Sequence, residues 1–183
     1  MKKLISPIAL VLSLLSYNSF AFETNLIQNG DNLVANIEQV GTNHIVNVKQ
    51  NGFRNTSNIK VSGSDNAITN YISGEDNIAN IAVDGSHNLA VASISGTGNI
   101  SSITQSGTNN RLALSQTGEY NLAMMQQAGE NNSALILQNG SLNQASISQN
   151  GNNNQAAIIQ YGTGRKADIT QNGDNMKMTI VQR

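Results

Sequence analysis

The residue types that could carry chemistry are few, and their spacing decides against most of it. His44 and His87 are the only histidines. They fall in different structural columns, so they cannot share one metal ion, and each reads as a solvated turn residue. Asp65, Glu75, Asp76 and Asp84 are acidic residues at turns, but the Gly-Gly-x-Gly-x-Asp pattern of calcium-binding rolls is missing. Ser101, Ser102, Ser146 and Ser148 supply hydroxyls without a paired histidine and acid at a plausible reach, so the expectation is no catalysis and no cofactor. The remaining chemistry is that of amides. Gln39, Gln50, Gln105, Gln116, Gln127, Gln138, Gln149, Gln160, Gln171 and Gln182 share one phase, and Asn55, Asn66, Asn77, Asn88, Asn99, Asn110, Asn121, Asn132, Asn143 and Asn154 share another. Identical amides stacked about 4.8 Å apart can donate N–H to C=O along a column.

Such columns require a repeat to position them. Glycine recurs every 11 residues from Gly30 to Gly173 without insertion, and 14 such units fill residues 30–183. Only Gly98 and Gly164 of the 16 glycines fall outside that column, so composition alone cannot produce the period. The residue seven after each glycine is apolar in 13 of 14 units, Asn70 being the exception, and the residue nine after is Gln in ten. Positions five, seven and nine alternate with polar-tolerant positions, which makes each unit a short strand. The Gly-x-x-Asn opening supplies a turn, because glycine tolerates positive φ and Asn bonds neighbouring backbone. One strand and one turn reverse the chain once, so a closed circuit takes two units.

The expected fold is therefore all-β: a β-solenoid of about seven 22-residue strand-turn-strand coils forming two stacked parallel sheets with amyloid-like spacing. Gln turned inward must be paired, since ten orphaned amides at roughly 1 to 3 kcal/mol each would exceed a domain's roughly 5 to 15 kcal/mol of net stability. Units three to six replace the Gln with Val61, Ile72, Val83 and Ile94, so stacking of alternate units sets Val on Val and Ile on Ile.

Composition excludes other classes. The chain of 183 residues has no Cys, which removes a disulfide framework and a thiolate metal site. A formal net charge of −1 gives no surface for nucleic acid. Charged residues make up 11%, against roughly 25% in an average globular domain. An ice-binding face of regular Thr is also absent, because the outward eighth column is irregular: Glu38, Lys49, Lys60, Tyr71, Ala82, Ser93, Thr104 and Ser115. Tyr71, Tyr120, Tyr161 and Phe53 read as ordinary outward packing.

Residues 1–21 read as a cleaved export signal: Met1-Lys2-Lys3, an apolar run from Leu4 to Leu15, and Ser19-Phe20-Ala21 before the cleavage point. The run is too short for a comfortable membrane span, which takes roughly 20 residues. Residues 22–29 then form a short N-terminal segment ahead of the repeat at 30–183. The exported chain contains no Pro, and nothing else in it caps the strand edges at the two ends of the stack, so the ends invite another chain and templated polymerisation.

Units such as Gln127-Ala128-Gly129-Glu130-Asn131-Asn132-Ser133-Ala134-Leu135-Ile136-Leu137-Gln138 resemble the curlin repeat, Ser/Gln-x-Gly-x-x-Asn-x-Ala-x-x-x-Gln, from about Gln28 to Gln182. The segment Gly118 to Gly129, the run Ala156-Ala157-Ile158-Ile159-Gln160 and the Gln182-Arg183 ending resemble the minor, nucleating subunits of that family more than the major ones. The resemblance implies an extracellular amyloid of the bacterial surface, the curli fibre of biofilm matrix, which serves in adhesion. It implies export through periplasm and outer membrane by the curli secretion channel, and surface assembly factors as partners. It also implies the major curlin subunit and further copies of the chain as partners, with nucleation of the major subunit as the activity. The alternatives are a major fibre subunit and a monomeric solenoid adhesin. The last two units depart from the pattern, with Arg165 and Met176 in place of the turn Asn and with Lys166, Lys177 and Arg183 added. Residues 131–183 carry 4 basic and 2 acidic residues, against 4 and 9 in residues 22–130. Arg165, Lys166, Lys177 and Arg183 are thus candidates for surface attachment or templating, either on anionic lipid or polysaccharide at the outer-membrane surface or as a solvated edge that limits stacking.

Overall fold

The computed structural model describes residues 9–15 and 22–183. The proposed signal cleavage point after Ala21 lies outside the described residues. Among the described residues sixteen strands follow in chain order, beginning with β1 (Ala9–Leu15), β2 (Glu23–Asp31), β3 (Val34–Thr42) and β4 (Ile45–Phe53) and ending with β14 (Gln155–Thr163), β15 (Lys166–Asn172) and β16 (Lys177–Gln182). Odd-numbered strands form one eight-stranded sheet and even-numbered strands the other. Every neighbouring pair is parallel, and from β2 onward partners lie two units apart in the chain, as in Leu112 beside Ala134 and Gly118 beside Gly140. The architecture is the expected two-sheet solenoid.

From β3 to β15 each strand forms because its inward residues, five, seven and nine after the glycine, are buried while their neighbours lie nearer solvent, as in Ser133–Ser141 with Ala134, Ile136 and Gln138 inside, whereas the corresponding residues of β2 and β16 at the ends are half-buried or exposed. The main apolar core packs the two sheets together from Ile37, Ile81, Ile103 and Ile169 of one sheet to Ile136 and Ile158 of the other, and Ile72, Ala79 and Ile94 form a smaller buried cluster beside it. The exceptional Asn70 is also buried, and its Nδ2 donates to Ser57 Oγ at 2.8 Å, a polar pair replacing two apolar positions across the core.

The repeat register starts earlier than the first column glycine. Residues 23–31 form β2, which pairs with β4 in the same two-unit register, from Glu23 beside Ile45 to Asp31 beside Phe53. β1 is out of phase: Ala9 lies beside Val34, three positions off the register of the other pairs, and the strand covers the outer edge of β3.

The glycine column is set by stacking as well as by φ. Gly118 has φ +115°, and a Cβ there would run into the carbonyl oxygen of Gly140 in the next coil. The left-handed residue of each turn lies two after the glycine: Asn43, Asp76, His87, Tyr120 and Leu142 all have φ between 54° and 58°. Gly98 and Gly164, the two glycines outside the column, occupy that same position with φ of 66° and 68°.

Candidate functional site

The amides form two kinds of ladder. In the Asn column, Nδ2 of each of the ten residues donates to the carbonyl of the glycine 19 residues on, at 2.6–2.9 Å. Each Oδ1 accepts the backbone N–H of the residue 22 on, at 2.9–3.0 Å. The ten side chains are buried, and both bonds tie one coil to the one above it. The Asn therefore does more than close its own turn. It bridges coils at the points where the strand ladders stop.

The Gln column has a direction. Gln105 Nε2 donates to Gln127 Oε1, Gln127 to Gln149 and Gln149 to Gln171, at 2.7–3.1 Å. In the other sheet Gln116 donates to Gln138, Gln138 to Gln160 and Gln160 to Gln182, at 2.9–3.0 Å. Except at Gln127, the second N–H of these amides goes to a backbone carbonyl 16 residues back, as from Gln138 to Leu122 and from Gln160 to Gln144. Every Gln-to-Gln bond runs from the N-terminal to the C-terminal partner. Gln28, ahead of the first column glycine, is a member of the ladder through its bond to Gln50 at 2.7 Å. Its phase, one full coil before Gln50, is the signal that identifies it.

Val61 stacked on Val83 and Ile72 stacked on Ile94 interrupt the two columns. Below the upper ladders, Gln105 Oε1 and Gln116 Oε1 are buried with no hydrogen-bond partner. Gln39 meets no Gln among the described residues: its Nε2 donates to Thr24 Oγ1 at 2.6 Å, and its buried Oε1 has no partner among them. Gln50 Nε2 turns to the carbonyls of Val34 and Asn55.

The ends of the Asn column differ from the middle. Leu33 and His44 occupy the Asn slot in the first two units, and both are fully buried. His44 is thus no solvated turn residue, which corrects the expectation: it stacks on Phe22 with ring centroids 5.8 Å apart, and its Nε2 lies 3.1 Å from the Val40 carbonyl. Its slot, three after the glycine, points inward, whereas His87 sits two after the glycine at the turn surface. At the other end Arg165 and Met176 take the slot, and their backbone N–H groups still bond Asn143 and Asn154 Oδ1.

The four basic residues do not form one cluster. Arg165 Nη2 donates to the Arg183 carbonyl at 2.5 Å, and Gln182 donates to the Lys166 carbonyl, so Arg165, Lys166 and Arg183 share one corner. Lys177 begins β16, roughly 17 Å away along the strand. All four are exposed.

Outside the core the stacking produces polar columns that inspection of inward positions missed. Asn36 donates to Asn58 and Asn58 to Asn80, at 2.7 and 2.8 Å, on one outer face. At one turn Arg54 contacts Asp76 and Glu75 at 2.6–2.7 Å and lies 4.4 Å from the Phe53 ring centroid. The Arg54 hydrogen bond holds the Asp76 carboxyl below its ordinary value, and Asp76 in turn raises the Arg54 guanidinium.

The arrangement builds backbone edges and amide rungs. Comparison with protein families finds the curlin associated repeat at residues 107–140, 118–149, 129–162 and 143–173. These matches together span residues 107–173, within the part of the chain from Gln105 to Gln182 that carries the two long Gln ladders. Comparison of the sequence with curated proteins returned no match.

Proposed function

We propose that this chain is a secreted structural subunit of curli-type amyloid fibres that nucleates polymerisation of a major curlin at the bacterial surface. The observation that carries the reading is the C-terminal end of the stack. Among the described residues β15 and β16 are last in their sheets, with an unpaired backbone edge each, and Gln171 and Gln182 are the last rungs of ladders whose amides donate outward along the stack. An incoming repeat chain that orders on such an edge gains backbone bonds immediately, which offsets much of its loop-closure entropy. The curlin associated repeats in residues 107–173 supply the family context. Export as a precursor cleaved after Ala21, passage through the outer membrane and attachment through the Arg165, Lys166 and Arg183 corner complete the proposal.

The test is a polymerisation assay of a major curlin seeded with substoichiometric residues 22–183, alongside a variant lacking residues 162–183. Loss of the lag phase with the first and not with the second is the expected result. Long fibres formed by the chain alone, with no effect on the lag of the major subunit, would replace the nucleator by a fibre-body subunit.

A further inference from the structure

Removing residues 1–21 leaves an odd number of strands. β2 to β16 place seven strands in one sheet and eight in the other, because β1 is the eighth strand of the odd-numbered sheet. The ends of this stack are therefore not related by simple translation.

Two ways of stacking a second copy on the C-terminal end follow. If β2 of the second copy sits on β16, the even-numbered sheet continues, but β15 and the second copy's β3 are separated by one missing strand. If the second copy is turned by half a turn about the stack axis, its β2 sits on β15 and its β3 on β16. Both sheets then continue, and the repeat phase carries across the joint with only the first three positions of one unit omitted between Arg183 and Phe22. At the ordinary strand spacing each copy adds about 36 Å to the stack.

Side chains on the two ends match in the half-turn joint. Gln171 lies under Gln28 and Gln182 under Gln39, so an amide N–H of Gln182 faces the Gln39 Oε1, which has no hydrogen-bond partner among the described residues of one chain. Met176, 37% exposed, lies under Leu33, so the two apolar replacements of the Asn column meet each other. Lys166 lies under Glu23.

We infer that copies of residues 22–183 join C-terminal end to N-terminal end with a half-turn at every joint, so that the two faces of the solenoid alternate from copy to copy. The partner is a second copy of this chain. The inference rests on the fibre-forming reading above and adds the geometry of its self-contact. In the full chain β1 covers the edge of β3 that this joint needs, so the joint forms only after residues 1–21 are gone.

The chain has no cysteine, so labels can be placed freely. Ile27, Thr170 and Val181 are all exposed and lie in the same outward column phase. In the half-turn joint Ile27 stacks on Thr170, and in the translated joint it stacks on Val181. Residues 22–183 carrying I27C or T170C, each labelled with pyrene and mixed in equal amounts, are expected to give a several-fold rise in excimer emission on assembly. Labels at I27C and V181C give none, because they fall on opposite faces. Excimer from the second pair, from I27C alone, or from none of them in sedimentable fibres overturns the half-turn joint and leaves fibre formation standing. Absence of sedimentable assembly for unlabelled chain overturns both readings. Charge reversal gives a label-free check: E23K slows assembly, K166E added to it restores the rate, and K177E does not. Rescue by K177E instead overturns the joint.

Discussion

Val83 lies directly beneath Gln105 in the parallel ladder, and the pairing leaves Gln105 Oε1 buried with no donor. The same rung in the other sheet pairs Ile94 with Gln116 and orphans Gln116 Oε1. A directional ladder has one orphaned acceptor at each start, so every interruption creates a new one. This gives the four apolar units a specific cost that their own burial partly offsets, and it makes residues 105–182 a ladder segment separate from Gln28 and Gln50.

Filling the interruption must therefore be done completely to help. Val83→Gln alone satisfies Gln105 and orphans its own Oε1 above Val61, so its net effect on stability is expected to be small or unfavourable. Val61→Gln with Val83→Gln connects Gln39 to Gln105 and removes one orphan from the column, a gain of about 1 to 3 kcal/mol. Denaturant unfolding of the two single variants and the double variant measures the coupling, and additive effects would refute the ladder account.

Asn121 tests the second ladder. Its Oδ1 accepts from Asn143 N–H, and its Nδ2 donates to the Gly140 carbonyl at 2.8 Å. Asn121→Leu fills the space but leaves a buried N–H and a buried carbonyl without partners. A loss of about 2 to 5 kcal/mol is expected, read as a fall in the unfolding midpoint. A change below about 1 kcal/mol would show that the column only fills volume.

His44→Asn restores the column residue at the N-terminal end. An Asn there gains the acceptor that the next residue of its column, Asn66, can donate to, and it removes the buried His44 Nδ1 that has no partner. It also forfeits the stack on Phe22. The variant is expected to be more stable by about 1 kcal/mol. Amide exchange at residue 66 should slow in step, and faster exchange there would contradict the slot assignment.

Glycine positions divide by mechanism. Gly118→Ala places a Cβ against the Gly140 carbonyl at φ +115° and is expected to cost more than about 2 kcal/mol. Gly164, with φ +68°, has no atom within 4 Å of the point where a Cβ would stand, and it occupies the left-handed slot that Asn fills in other turns. Gly164→Asn is expected to be neutral or stabilising by about 0.4 to 1 kcal/mol. Thermal unfolding of the pair compares them directly.

The Arg54 turn carries the clearest pH dependence. Asp76 has its pKa lowered by the Arg54 hydrogen bond. A carboxylate whose folded pKa is depressed contributes stability above its unfolded value and loses it as pH falls through the folded one. Both side chains are exposed at the surface, so the effect is local and salt-sensitive. NMR titration should place the Asp76 midpoint lower in the wild type than in Arg54→Gln. An unchanged midpoint would mean that the contact is not populated in solution.

The sequence by itself determined the period, the unit count, the inward columns and hence the two-sheet solenoid, because each depends only on alternation within a strand and on a turn recurring once per unit. Asn70 was legible in the same way, as the polar exception in an apolar column, whereas its partner Ser57 emerged only when the two sheets were brought face to face. Tertiary structure decided what depends on the coil above. It made the Asn a bridge to the next glycine carbonyl, gave the Gln amides one direction, buried His44 in an Asn slot and placed the left-handed turn residue one position ahead of the Asn. It also drew residues 23–31 into the ladder and set β1 out of phase. A period fixes which residues stack, but which atom donates to which neighbour follows only once the spacing and orientation of successive coils are fixed in space.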